Sequence, residues 1–133
     1  MKYLLDTNIC IRYINGRAPQ IREHMRSIED TDLAISTITL GEMFTGSAKS
    51  QYPQQSRAKQ DAFFIRFTIL PFDGVSADRF GTIRAHLELQ GTPIGPYDMQ
   101  IAAIALVHGL ILVTHNLKEF SRVPDLQIED WEA

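Results

Sequence analysis

Cysteine is nearly missing from this chain: Cys10 is the only one in 133 residues. An internal disulfide is therefore impossible, and no zinc pattern built on cysteine can form. A lone Cys10 reads as a small buried apolar residue. Long hydrophobic runs are absent too, since none approaches the roughly 20 residues that span a bilayer. The apolar stretch in Met1-Lys2-Tyr3-Leu4-Leu5-Asp6 is too short for a signal peptide, so a cytoplasmic protein with no membrane partner is expected. Nor is there a surplus of positive charge. Thirteen Lys and Arg face sixteen Asp and Glu, for a net charge of −3. Nucleic-acid binders are usually basic, so this balance counts mildly against such a substrate. Carboxylates massed around a metal ion would produce the same balance, because the metal-free chain looks more acidic than the loaded one. The four histidines, His24, His86, His108 and His115, show no ligand spacing. With no repeats and no low-complexity linker, the length fits a single domain over residues 1–133.

What is present alternates between two periods. Tyr3-Leu4-Leu5, Leu33-Ala34-Ile35-Ser36, Thr68-Ile69-Leu70-Pro71-Phe72 and Leu110-Ile111-Leu112-Val113-Thr114 are short apolar runs. Continuous apolarity in so few residues marks strands covered on both faces. Asp125-Leu126-Gln127-Ile128 suggests a weak edge strand. Between the runs the spacing is helical. Ile9 to Ile14 and Ile21 to Ile28 form short helices around a Gly16–Pro19 break. Leu40, Met43, Phe44 and Ser47 mark another, and a solvated helix carrying Phe63, Phe64 and Phe67 follows a polar loop that begins at Lys49. Ala77 to Leu87 is helical up to the Gly91-Thr92-Pro93 stop. Ile101, Ala102, Ala105 and Leu106 line a last helix closed by Gly109. This alternation predicts an α/β fold in three α/β/α layers, with a mainly parallel central sheet of four to five strands. Ligands in such folds sit beyond the carboxyl ends of the strands.

The carboxylates concentrate there, and each has two readings. Asp6 directly follows the first strand; it either caps the next helix or faces a ligand. Thr39-Leu40-Gly41-Glu42 has capping-box spacing, so Glu42 either caps or joins a site. Pro96 suits a first helical position, placing Asp98 in the first turn, where an acid complements the helix dipole. Asp98 also shares the apolar face of Ile101 and Ala102, and an inward carboxylate must be paired, hydrogen-bonded or metal-bound. Asn116 and Glu119 have cap-and-third-residue spacing, and either could instead complete a polar cluster. Asp73 is expected to cap the helix after it. Several carboxylates gathered at one point repel one another unless a divalent cation sits among them. Oxygen-only ligands favour Mg²⁺ or Mn²⁺ over zinc. Arg12, Arg17, Arg22, Arg26, Lys49, Arg57 and Lys59 could hold phosphates, although such a scatter is more often a solvated surface.

Five segments in order carry a resemblance. They are Leu4-Leu5-Asp6-Thr7-Asn8; Ser36-Thr37-Ile38-Thr39-Leu40-Gly41-Glu42; Ile69-Leu70-Pro71-Phe72-Asp73; Gly91 through Ala103, with Pro96-Tyr97-Asp98 at its centre; and Leu112 through Phe120. Together they span nearly the whole chain and resemble the PIN-domain ribonucleases, specifically the VapC toxins of type II toxin–antitoxin systems. The resemblance implies a metal-dependent endoribonuclease acting on RNA, with tRNA as the structured substrate. It implies Mg²⁺ or Mn²⁺ held by Asp6 and Asp98, with Glu42 beside them, and Thr7, Asn8, Ser36 and Thr114 as polar supports. Asn116 stands where many relatives have Asp, and Glu119 is the nearby acid that could substitute. A cognate VapB-type antitoxin and a homodimer are the implied partners.

Two other readings compete. A dehalogenase-type phosphatase would want a second Asp two positions after Asp6, where Asn8 stands; a receiver domain would want an earlier acidic pair and a strand-end Lys. A PIN-like module that binds without cleaving is the alternative that the Asn116 departure keeps open.

Overall fold

The computed structural model describes residues 1–133. Its elements in chain order are β1 Tyr3–Leu5, α1 Thr7–Ile14, α2 Pro19–Arg26, β2 Leu33–Ser36, α3 Thr37–Ala48, α4 Pro53–Phe64, β3 Thr68–Leu70, α5 Gly74–Leu89, α6 Pro96–His108, β4 Ile111–Val113, α7 Leu117–Phe120 and β5 Ile128–Glu129. The strands form one sheet in the order β3-β2-β1-β4-β5, and every neighbouring pair is parallel.

The central strands β1, β2 and β4 are largely apolar because both of their faces are covered. Leu4, Ala34 and Leu112 stand in register across β1, β2 and β4 and join the core under α5 and α6, with Ile83, Leu87, Ile101 and Ala105. Leu5, Ile35 and Val113 point the other way, into a second core with Ile9, Cys10, Ile21, Met25, Phe63 and Phe64. That alternation is the period-two signature of a strand. Each fully buried Leu, Ile or Phe contributes about 1.5–3 kcal/mol, so the two cores fix the sheet between its helical layers. No helix is long and apolar enough to cross a membrane.

Several boundaries differ from the sequence expectation. Pro19 is the first residue of α2 rather than part of the break, consistent with proline's fitness for a helix start; Gly16 alone, at φ 66°, makes the turn. Helix α4 begins at Pro53, so most of the expected polar loop is helical, and Phe67 lies beyond its end. The edge strand covers Ile128–Glu129 instead of starting at Asp125, because Asp125 adopts a φ of 67° that no strand accommodates. Helix α3 starts a turn early, with Ser36 as its cap: the Thr39 amide donates to Ser36 Oγ at 3.1 Å. Thr39 therefore lies inside the helix, and the capping-box reading of Glu42 fails.

The topology decides where chemistry can occur. From β1 the chain crosses to β2 on one side, then after β3 returns to β4 on the other side of β1. The sheet therefore reverses direction between β1 and β4, and a crevice opens beyond their carboxyl ends. Asp6 and Thr114 are the residues that immediately follow those two strands.

Candidate active site

Asp6 is 4% exposed and held from two sides. The Thr7 amide donates to Oδ1 at 2.8 Å, and the Thr114 hydroxyl donates to Oδ2 at 2.9 Å. Asp6 caps α1 and also lines a hollow beyond the strand ends. Thr114 Oγ1 also accepts from the Asn116 amide at 3.0 Å, which joins the turn after β4 to the end of β1. From Thr7 a second chain of hydroxyls leads to α3. Thr7 Oγ1 donates to Glu42 Oε1 at 2.8 Å and lies 2.9 Å from Thr39 Oγ1, which contacts Ser36 Oγ at 3.3 Å. The adjacency of β1 and β2 is what lets a threonine on α1 orient a glutamate on α3.

Asp98 enters from a third direction, as the third residue of α6 behind Pro96. It is half-buried, and its pKa is raised to about 6 by burial first, then by the charges of Asp6, Glu119 and Glu42. Burial likewise raises the Asp6 pKa; bonds from Thr114 and Thr7 oppose that rise, and the Glu42 charge adds to it. These four acids therefore share one electrostatic neighbourhood, although they come from four separate segments. Asn116 heads α7 but does not cap it. Its Nδ2 donates to Glu119 Oε2 at 3.0 Å, tying that acid to the turn after β4. Asp73 lies apart and caps α5 through the Ser76 amide at 2.9 Å.

The donor set fits a hard divalent cation. No Lys, Arg or His of this chain forms an ion pair with Asp6, Glu42, Asp98 or Glu119. Burial, and after it mutual repulsion, raises the cost of ionising Asp98 and Asp6, which is the strain a bound cation would relieve. Oxygen is the only ligand type on offer, as Mg²⁺ and Mn²⁺ prefer.

A tighter cluster lies next door. His115, Asp130 and Glu132 bring three ligating atoms within 4.8 Å of one another, which the scattered histidine spacing did not foretell. Its oxygens are already engaged. His115 Nδ1 sits 3.0 Å from Asp130 Oδ2 and 3.3 Å from Glu132 Oε2, Arg12 holds Glu132 Oε1, and the Glu132 amide donates to Asp130 Oδ1. That arrangement is an ion-pair network. The C-terminal segment supplying it is anchored by Trp131, which is 1% exposed and stacks on His24. The single tryptophan beside alternating acids, in Glu129-Asp130-Trp131-Glu132, was the available sequence signal.

Two measurable consequences follow from the strained carboxylates. In the metal-free protein a raised Asp98 pKa means that the folded state binds a proton more tightly than the unfolded chain. Its stabilising share is fully present below the ordinary carboxylate range and is lost as pH rises through about 6. Because Asp98 is partly exposed, solvent screening leaves about 1 kcal/mol of this. Urea unfolding in chelator should therefore show a higher midpoint at pH 5 than at pH 7.5, and a midpoint lower at pH 5 than at pH 7.5 would contradict the assignment. Replacing Thr114 with Val removes a buried donor to Asp6, at a cost of about 1–3 kcal/mol. It should also move the Asp6 pKa further up, readable by carboxyl NMR titration.

Comparison with known proteins gives concordant matches. The PIN domain profile matches residues 3–126. The tRNA(fMet)-specific endonuclease VapC of Salmonella typhimurium is 43% identical over 131 residues, covering 98% of each chain. Ribonuclease VapC2 of Haemophilus influenzae is 42% identical over 131 residues, with the same coverage. Among solved structures, the DNA-bound VapBC from Salmonella typhimurium matches with a TM-score of 0.93 at 43% identity, covering 98% of both chains. The chain belongs to the PIN-domain family and, within it, to the VapC group.

Proposed function

We propose that this protein is a metal-dependent endoribonuclease, the toxin of a toxin–antitoxin pair, using Mg²⁺ or Mn²⁺ at the Asp6–Asp98 crevice. The observation that carries the reading is the convergence of Asp6, Glu42, Asp98 and Glu119 at the β1–β4 switch point with no protein cation among them.

Asp6 and Asp98 would hold the cation, with Glu42 and Glu119 close enough to be felt electrostatically. When bound, such a cation supplies Lewis acidity: it lowers the pKa of water and neutralises charge on a phosphoryl group. The chain's own residues organise everything else. Thr114 and the Thr7 amide fix both Asp6 oxygens, so the carboxylate stays in one rotamer. Thr7 aims Glu42, and Asn116 aims Glu119. In this reading Asn116 is a positioning residue, and Glu119 supplies the acid three residues on. Water would then attack the RNA phosphorus in line with the 3′ oxygen while Glu42 or Glu119 accepts its proton; the P–O3′ bond breaks and the departing 3′ oxygen takes a proton from solvent. Pre-set geometry of this kind removes the reorganisation cost at the moment of reaction.

Initiator tRNA is the proposed substrate, because the Salmonella and Shigella relatives are named for tRNA(fMet). A VapB-type antitoxin is the proposed partner, since the similar solved assemblies are VapBC complexes. A homodimer belongs to the same reading, and the exposed Ile65, Val75 and Leu89 offer apolar surface for it. The test is incubation of the purified chain with tRNA(fMet) and an elongator tRNA, with Mg²⁺, with Mn²⁺ or with chelator. Metal-dependent endonucleolytic cutting, faster on tRNA(fMet) and blocked by the antitoxin, is expected. Cutting that persists unchanged in chelator would overturn the metal assignment, and binding without cutting would overturn the enzyme.

A further inference from the structure

The acidic crevice poses a problem for any polyanionic substrate. Even a divalent cation leaves four carboxylates undercompensated, so phosphates need cations supplied close by. Seven basic residues stand out in the sequence as candidates, and the structure separates them. Arg12 is committed to Glu132. Arg22 donates to the Tyr13 carbonyl at 2.8 Å and lies over the Tyr13 ring. Arg57 lies 3.4 Å from the centroid of Phe44 and pairs with Asp61. Of the remaining four, Arg17 and Lys59 line cavities that they share with carboxylates of the site. Arg17 lines a hollow of about 570 Å³ together with Asp6 and Asn8. Lys59 lines one of about 390 Å³ together with Glu42 and Tyr52.

Ile11 and Asn15 of the α1 region belong to the walls of both hollows, which lie side by side along α1 and together make a two-part trough. Most of the residues lining it are polar or charged, Arg17 and Lys59 among them. At its Lys59 end stands Tyr52, 61% exposed, an aromatic face on which a base can stack. We propose that a single-stranded segment of the RNA substrate lies in this trough, with Arg17 and Lys59 each gripping a phosphate on opposite sides of the carboxylates and Tyr52 stacking a base. This rests on the ribonuclease reading and names the substrate contacts of that site.

Both cations are exposed and make no ion pair, so their removal leaves the fold intact. The experiment measures binding of fluorescein-labelled tRNA(fMet) to the Asp98→Asn protein in Mg²⁺ over a series of KCl concentrations. Adding Arg17→Ala and Lys59→Ala should flatten the slope of log K against log salt by about one for each residue. Arg79→Ala, in a separate hollow with Pro124 and Asp125, should leave the slope unchanged. Tyr52→Ala should weaken binding with no change in slope. An unaltered slope in the double variant overturns the proposal, as does an equal loss in Arg79→Ala or no RNA binding by the parent. A double variant that keeps its RNA slope but loses the antitoxin would make the trough a protein-docking surface and overturn it too. If the unsubstituted chain cuts no RNA yet the slope still depends on Arg17 and Lys59, the ribonuclease reading fails while the trough stands.

Discussion

Asparagine in place of Asp98 will yield a folded protein that cleaves RNA on the order of a thousandfold more slowly, and that is more stable than the parent in chelator. The two effects have one cause. Asp98 is held half-buried among Asp6, Glu119 and Glu42, and its pKa of about 6 records the cost of keeping it charged there. Nature tolerates such a carboxylate where it binds something. Removing a group that merely supports a metal ligand costs about 10–100-fold, so loss of a direct ligand should cost more. Asparagine keeps the shape, removes the charge and relieves the repulsion, so the metal-free fold should gain about 1 kcal/mol at pH 7.5. The gain should shrink at pH 5, where the folded parent's carboxyl is largely protonated, and vanish only below the ordinary carboxylate range. Single-turnover cleavage and urea unfolding at the two pH values together check the account. A variant that retains activity removes Asp98 from the chemistry, and one that is destabilised at neutral pH removes the repulsion argument.

Divalent cation should stabilise the protein by a large margin. A ligand that binds only the folded state at a hundred times its Kd adds about 2.7 kcal/mol. For a domain of this size that corresponds to a rise in Tm on the order of 10 °C. Burial and then neighbouring charge raise the pKa values of Asp6 and Asp98, and relief of that cost would be a source of the ion's affinity. Thermal unfolding with and without Mn²⁺ reads the shift, and the Asp6→Asn/Asp98→Asn double variant should show almost none of it. An equal shift in the double variant would place the ion elsewhere on the molecule.

Much of this was legible in the sequence because apolar continuity and helical spacing are dictated by burial. Leu4-Leu5, Leu33-Ala34-Ile35 and Leu112-Val113 are apolar because two helical layers cover them, and the parallel sheet follows. Asp6 and Asp98 could be singled out because one ends a strand and the other sits on an apolar helical face. Glu42 was harder. Its capping-box spacing from Thr39 is a decoy, since Ser36 starts α3 straight from the strand and leaves Glu42 deep in the helix. Its true partner, Thr7, is 35 residues away in sequence and becomes a neighbour only when β1 and β2 pair. Of the network of His115, Asp130, Glu132 and Arg12, only the acids flanking Trp131 left a local trace; their partners His115 and Arg12 are long-range and leave no local period. Asp125 shows the limit on boundaries, where one left-handed residue displaces an otherwise plausible strand.

The most direct measurement is anomalous diffraction from a crystal soaked in Mn²⁺. An ion with side-chain oxygens of Asp6 and Asp98 at roughly 2.0–2.2 Å, and waters completing its shell, is the predicted result. An ion seated instead against His115, Asp130 and Glu132, with Asp6 and Asp98 left unligated, would contradict it.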